Sequence, residues 1–277
     1  MLYIGIDLGT SAVKLLAMDS RGKIVHVVSQ EYPICFPRPG WAEQSPEDWY
    51  AQTLKGLKKL LEKCDRSQVA GISFGGQMHG LVVLDSRDQV IRPAILWNDG
   101  RTGKETEYLN HTVGRDKLSQ YTANIAFAGF TAPKLLWMKE NEPDLFAKIA
   151  KIMLPKDYLA YRLSGAFCTD YSDASGTLLL DVQHRCWSRE MLEICSVREE
   201  QLPRLCESYE VTGVLKKEIA HELGLPQGVK VIAGAGDNAA AAVGTGTVGD
   251  GRCNISLGTS GTVFISSKNF RVDRYNA

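Results

Sequence analysis

The sequence predicts an α/β fold: a mixed sheet flanked by helices, one lobe complete and the first strands of a second following it. Three observations carry this expectation. The chain opens with three β-patterned runs and then an amphipathic helix, an order unlike the alternating βαβ of common nucleotide folds. Its middle third is mainly helical in pattern. Last, Leu8-Gly9-Thr10-Ser11 recurs as Leu257-Gly258-Thr259-Ser260, with Ile6-Asp7 and Ile255-Ser256 in matching places, which points to a duplicated strand-turn-strand lobe.

Taken in order, residues 3–8, 12–18 and 23–30 read as strands of an antiparallel meander, with Asp19-Ser20-Arg21-Gly22 as the second turn. A Pro-containing connector runs from Tyr32 to Gln44. Ser45-Pro46-Glu47-Asp48 then starts a helix, with Ser as N-cap, Pro at the first helical position and acids at the positive end of the dipole. Tyr50, Leu54, Leu57, Leu61 and Cys64 give it an apolar face. Strands are expected at 69–74, 80–84 and 94–97, and helices at 102–110, 133–140, 143–150, 155–163, 188–195 and 215–223. Val229–Ala233 reads as a buried strand, Gly234-Ala235-Gly236 as a close turn, and Asp237 or Asn238 as the cap of a following helix. The Gly, Thr and Asp stretch 244–251 marks the domain boundary, so residues 1–248 form one lobe and 249–277 begin another.

Bulk properties narrow the function. Lysine plus arginine equals aspartate plus glutamate at 32 each, which leaves no basic footprint for nucleic acid and no polybasic tract for a membrane surface. Small molecules are the expected partners. Seven cysteines without a Cys-x-x-Cys pair argue against a disulfide framework or zinc site and read as reduced core residues. Met1-Leu2-Tyr3 leads straight into a strand with no secretory pattern, and no apolar run nears membrane-spanning length, so a cytoplasmic protein is expected.

The chemistry concentrates at a few turns. Glycine lets backbone approach an anion, and the Thr and Ser hydroxyls add donors, so two Leu-Gly-Thr-Ser loops suit a polyphosphate, although each is also an acceptable β-turn. Asp7 ends the first strand beside the first loop and could hold Mg²⁺ or simply cap the turn. Lys14, one strand on, could face a phosphate or water. Asp237 could be a helix cap or a base aimed at a substrate hydroxyl. Gly75-Gly76-Gln77-Met78-His79-Gly80 and Trp97-Asn98-Asp99-Gly100-Arg101 each read equally as turns or as ligand-facing segments, the second with an aromatic suited to a sugar ring. Two loops for polyphosphate, one acid for metal and one for a nucleophile are the parts of a kinase.

These residues identify a family resemblance. YIGIDLGTSAVK at 3–14, GGQMHG at 75–80, RPAILWNDGR at 92–101, GFTAPKLLW at 129–137, LPKDY at 154–158, GDNAA at 236–240 and SLGTSG at 256–261 resemble the signatures of the FGGY carbohydrate kinases, in the family's order. The Gln77–Gly80 and Leu96–Arg101 segments resemble the xylulokinase branch above all. The resemblance implies a ribonuclease-H-like, actin-like ATPase fold of two lobes around a cleft, with sugar bound on the N-terminal lobe. It implies Asp237 as the catalytic base on the 5-hydroxyl of D-xylulose, contacts to the ketose from Met78, His79 and Asn238, and Trp97 lining the pocket. Asp7 would serve Mg²⁺, with Thr10, Ser11 and Lys14 near the phosphates of ATP and Gly258, Thr259 and Ser260 approaching from the other lobe. Members continue through a second lobe that carries the adenine pocket, so this chain is expected to be inactive alone. Dimers are common in the family, so a homodimer is a further expectation. The alternatives are a sugar-binding or regulatory module without kinase activity, and a kinase for another ketose or polyol.

Overall fold

A computed structural model of the chain describes residues 1–257 and 261–273. The opening runs form the expected meander. Strand β1 (Leu2–Leu8) pairs antiparallel with β2 (Ala12–Asp19), which pairs antiparallel with β3 (Ile24–Glu31). On its other side β1 lies parallel to the strand Val69–Gly76. Lys230–Ile232 and Ala235–Gly236 both run parallel along the far edge of that strand, and Val211–Val214 closes the sheet antiparallel to Lys230–Ile232. The sheet is therefore mixed, and Leu8, Gly76 and Gly236 end at one edge. Carboxyl ends of parallel strands are where α/β sheets place ligands, because loops there can diverge around a crevice.

Side-chain alternation decides what each face does. Ile4, Ile6 and Leu8 of β1 and Val13, Leu15 and Ala17 of β2 are buried. Helix α1 (Pro46–Leu61) packs against this face. Asp7 and Lys14 sit directly opposite one another on the other face. The buried stripe of α1 is Trp49, Thr53, Gly56, Leu57, Leu60 and Leu61, rotated from the expected one, so that Tyr50, Leu54 and Cys64 pack at its margin. The rotation buries the Trp49 indole, whose N–H donates to Gln44 Oε1 at 3.1 Å. Pro46 occupies the first turn as expected, whereas the Ser45 side chain makes no capping bond.

The runs at 80–84 and 94–97 do form strands, but outside the main sheet. Val82–Leu84 pairs with Lys151–Met153, and Ala94–Ile95 with Glu43–Gln44. Both ribbons lie over a second core that contains Leu81, Val83, Ile95, Leu135, Met138 and Ile152. Helices at Thr131–Asn141, Pro155–Ser164, Arg189–Cys195 and Lys217–Leu223 match expectation closely. The run at 102–110 is helical only over Gly103–Glu107 before a widened π-type segment, Tyr108–Gly114, and Pro143–Phe146 is a single turn. Arg115–Thr122 is a helix with too weak an apolar stripe to read in advance. Cys168, Cys195 and Cys206 are core residues, but Cys35, Cys186 and Cys253 are exposed thiols, which corrects their assignment to the interior. Cys253–Leu257 and Gly261–Ile265 form an antiparallel hairpin that, among the described residues, pairs with no other strand. No helix among the described residues is long and apolar enough to cross a membrane.

One close approach sets the distance between α1 and the sheet. A Cβ at Gly56 would lie 2.4 Å from Leu15 Cδ1, so Gly56→Ala must displace either the buried Leu15 side chain or the helix. The expected loss is about 1–3 kcal/mol, read as a lower urea midpoint at constant m-value. An unchanged midpoint would mean that one of the two shifts freely.

Candidate active site

Register brings the two sequence-predicted acids together. Asp7 is paired with Lys14 on one side and Gly75 on the other, and Gly75 is paired with Ala235. Because paired residues project to the same face, Asp7, Lys14 and Gly75 stand in one row, and the chain turns into the helix Asp237–Gly244 two residues beyond it. Gly75 leaves room for that helix: a Cβ there would already touch Ala240 Cβ at 3.5 Å. The result is an open depression of about 550 Å³, lined by Asp7, Lys14, Ser73, Phe74, Gly75, Asp237 and Ala240 among others.

Asp237 is not the helix cap. Gly236 holds that position, and Asp237 is the first helical residue, with Oδ1 accepting the Asn238 N–H at 2.7 Å. Both acids open onto the depression while protein surrounds them on their other sides, and burial pushes both carboxyls up. For Asp7 the Lys14 ammonium works against that rise. For Asp237 the Asn238 N–H works against it, and the negative charge of Asp7 adds to it.

The loop after β1 is held by its carbonyls. Gly9 C=O accepts from Tyr32 Oη at 2.5 Å, Thr10 C=O from Gln44 Nε2 at 2.7 Å, and Gly9 N–H donates to Ala12 C=O at 3.0 Å. Thr10 Oγ1 accepts from Trp97 Nε1 at 3.0 Å, which leaves the hydroxyl proton free to donate elsewhere. Ser11 is exposed. Gly258, Thr259 and Ser260 lie outside the described residues.

Met78, His79 and Asn238 gather beside this depression. Asn238 Nδ2 lies 3.8 Å from Met78 Sδ, and a Cβ at Gly236 would meet Met78 at 3.0 Å. The His79 backbone is left-handed, at φ 67°. Its ring stacks on Phe130, with centroids 4.6 Å apart, and its Nδ1 lies 2.7 Å from Gly176 C=O. A carbonyl only accepts, so Nδ1 carries the proton and Nε2 is left as an acceptor. Burial holds this imidazole down at about 4, against the raising effect of the Gly176 carbonyl and with a small further push from Lys134. It is neutral near pH 7.

Trp97 is 40% exposed, and the turn reading of its segment is borne out by Asp99. Asp99 is consumed structurally: its carboxylate takes Ala42 N–H at 2.6 Å and Arg101 at 2.8 and 2.9 Å, while Arg101 stacks on Trp41 at 3.7 Å. Trp97 is presented outward by that turn. Sequence reasoning assigned no role to a buried ionic knot behind Asp237. Lys156 Nζ lies 2.6 Å from Asp157, 2.9 Å from Asp170 and 3.6 Å from Asp173, all buried. Asp170 accepts from Ser172 Oγ at 2.5 Å, and Ser172 Oγ in turn accepts the Gly236 N–H at 3.2 Å. The knot thus braces the residue before Asp237. Burial, with the charges of Asp157, Asp170 and Asp237, drives the Asp173 carboxyl well up despite Lys156. LPKDY signalled only Lys156 and Asp157, and nothing in the sequence signalled Asp170 or Asp173.

The model of the FGGY family of carbohydrate kinases, N-terminal domain, matches residues 2–244. The chain belongs to this family. As an FGGY chain it is 45% identical over 269 residues to the xylulose kinase of Escherichia coli strain K12, which covers 97% of this chain and 55% of that protein. Among solved structures, a xyloylose kinase from Brucella ovis superposes with a TM-score of 0.95 at 42% identity, over 99% of this chain and 56% of the other. A gluconate kinase from Lactobacillus acidophilus superposes at 0.91 with 30% identity, over 95% and 53%. The chain therefore spans about half the length of the FGGY relatives it matches, and its fold is the actin-like one that the signatures implied.

The charge environment makes a stability test. A carboxyl raised in the fold binds protons more readily than in the unfolded chain, so it favours folding at low pH and loses that contribution as pH rises through its folded value. Asp237→Asn removes the disfavoured charge and keeps an acceptor for Asn238 N–H. It should raise the denaturation midpoint at pH 7, with the gain vanishing toward pH 3. A fall at pH 7 would instead mean that the ionised carboxylate stabilises the start of its helix.

Proposed function

We propose that this chain is the sugar-binding part of an ATP-dependent ketose kinase, which transfers the γ-phosphoryl group of ATP to the 5-hydroxyl of D-xylulose. One observation carries the reading: Asp237 opens the helix at the carboxyl edge of the sheet, on the same depression as Asp7 and Lys14, with the neutral His79 and Met78 adjoining through Asn238. The names of the relatives support xylulose, and family membership supports ATP.

In this reading Asp237 holds the 5-hydroxyl by its hydrogen and takes the proton as phosphoryl transfer proceeds. An acid raised by burial suits that role better than an ordinary one, since its proton affinity is closer to what the step requires. His79 Nε2 accepts from a sugar hydroxyl, Met78 and Trp97 give the pocket its apolar surfaces, and Asn238 supplies an amide. Lys14, with Thr10 and Ser11, faces the phosphates, and Gly258-Thr259-Ser260 completes that grip from the second lobe.

The donor set fits Mg²⁺ in a specific way. Among the described residues no group of three metal-ligating side chains assembles, but Mg²⁺ in kinases is held by one or two carboxylates together with substrate phosphates and water. Asp7, a single hard oxygen donor, would hold it. Bound there, the cation would neutralise phosphate charge. Residues 1–248 form the sugar lobe in this proposal, and 249–277 begin the nucleotide lobe. The hairpin 253–265 leaves Ile255, Leu257, Val263 and Ile265 more than 60% exposed, as strands awaiting sheet partners would be.

Calorimetry of this chain with D-xylulose, L-ribulose, glycerol and gluconate tests the substrate, with D-xylulose expected to bind best. Preference for gluconate would transfer the reading to an aldonate kinase. In an enzyme extended to the length of its relatives, Asp237→Ala should lower kcat by about 10²–10⁴-fold with the KM for ATP nearly unchanged. Retention of most of kcat would remove Asp237 from the chemistry. The 277-residue chain itself should form no xylulose 5-phosphate, since positioning supplies most of the catalysis, and limited proteolysis should cut first within 244–251. Turnover by the purified chain would overturn the two-lobe requirement.

A further inference from the structure

The backbone of His79 carries an unusual load. A left-handed φ of 67° is uncommon for a non-glycine residue, although histidine adopts it more readily than most, and it persists where surroundings favour it. The surroundings are three residues of one helix start. Thr131 Oγ1 donates to His79 C=O at 3.0 Å, Lys134 Nζ donates to the same oxygen at 2.9 Å, and Phe130 stacks on the ring. Lys134 Nζ also donates to Gly129 C=O at 2.7 Å. Gly129 in turn lies main chain against main chain on Trp97: a Cβ at 129 would fall 2.3 Å from Trp97 C=O.

Lys134 is fully buried, yet its hydrogen-bond partners are neutral carbonyls. A buried ammonium with no carboxylate in direct contact is unfavourable. Burial drives the Lys134 amine well below the ordinary lysine range, with the charge of Asp99 opposing the fall and that of Arg101 adding to it. Its N–H groups serve both carbonyls in either protonation state. A methionine would fill the same space, so packing alone does not explain the amine. What the amine does that an apolar chain cannot is join the carbonyls of His79 and Gly129, the second of which lies against the Trp97 main chain.

We propose that Lys134, assisted by Thr131, is a positioning residue for sugar recognition: its single amine ties the backbone of His79 to that of Gly129, which packs on the Trp97 main chain, and so fixes the imidazole relative to the indole. The inference rests on the ketose-kinase reading and deepens it. Neither residue touches the sugar. They act by holding His79 in the one backbone conformation from which Nδ1 meets Gly176 C=O and Nε2 stays free.

Thr131→Val, Thr131→Ser and Lys134→Met separate this role from general packing. Two readouts apply to each variant of the chain: D-xylulose affinity by calorimetry, and the His79 titration followed by the NMR signal that disappears in His79→Asn. Thr131→Val alters no charge, so any movement of the titration reports a change of environment. It should weaken D-xylulose binding by about fivefold to tenfold, the loss of one hydrogen bond, and move the imidazole from about 4 toward its ordinary 6.5. Thr131→Ser should restore both. Lys134→Met should weaken binding further, and if it fails to fold the threonine pair still decides. Unchanged affinity and titration in Thr131→Val would overturn the inference. A shifted titration in Thr131→Val, with no ketose bound even by the parent chain, would uphold the positioning device and overturn the kinase reading instead.

Discussion

The parallel pairing of β1 with Val69–Gly76 is the constraint on which the rest depends. It brings Asp7 level with Gly75 and, one strand further, with Ala235, so three segments distant in sequence end at one edge of the sheet. The same alternation that buries Ile4, Ile6 and Leu8 under α1 leaves Asp7 and Lys14 on the opposite face. A shift of β1 by one residue in this register would send Asp7 toward the core and its aliphatics toward the depression. Stability and site are therefore settled by one pairing, and α1 can approach closely enough to enforce it because position 56 has no side chain.

Around this edge the structure spends buried polar groups on backbone geometry. The Lys156 knot reaches Gly236 through Asp170 and Ser172, the Gln44 amide reaches Thr10 C=O, and Lys134 reaches His79 C=O. Lys156, Asp170, Gln44 and Lys134 are buried, and these contacts act on the main chain at or beside the candidate site residues Asp237, Thr10 and His79. Such groups are dear in stability compared with apolar packing. Their return is a rigid floor, since hydrogen-bond networks of this kind specify one arrangement where aliphatic packing would tolerate several.

Electrostatics divides the site into two halves. In the half proposed for phosphate, Asp7 and Asp237 both have burial-raised carboxyls, Lys14 opposes the rise only at Asp7, and the charge of Asp7 adds to the rise at Asp237, an arrangement that a cation would relieve. In the half proposed for sugar, the imidazole of His79 is kept neutral by burial, so it presents a lone pair without a charge. A neutral polyol is better met by such acceptors and by aromatic surface than by fixed charge, because nothing on the polyol would repay desolvating an ion.

How much of this was legible in the sequence depends on the range of the interaction concerned. The meander, Pro46 at the start of α1, the helices at 155 and 189 and the turn before Asp237 follow from alternation, capping chemistry and glycine spacing, which act over a few residues. The motifs carrying Asp7, Met78, His79, Trp97 and Asp237 were visible for the same reason. Tertiary structure alone decided that the strands at 82 and 94 leave the main sheet, that α1 turns to bury Trp49, that Gly236 rather than Asp237 caps its helix, and that Lys134 and Lys156 are interior. A lysine in a sequence reads as surface until the carbonyls or carboxylates that hold it are known, and those come from segments up to 55 residues away, as between Lys134 and His79. Local chemistry thus determined which residues could act, and long-range packing decided where they stand and what holds them there.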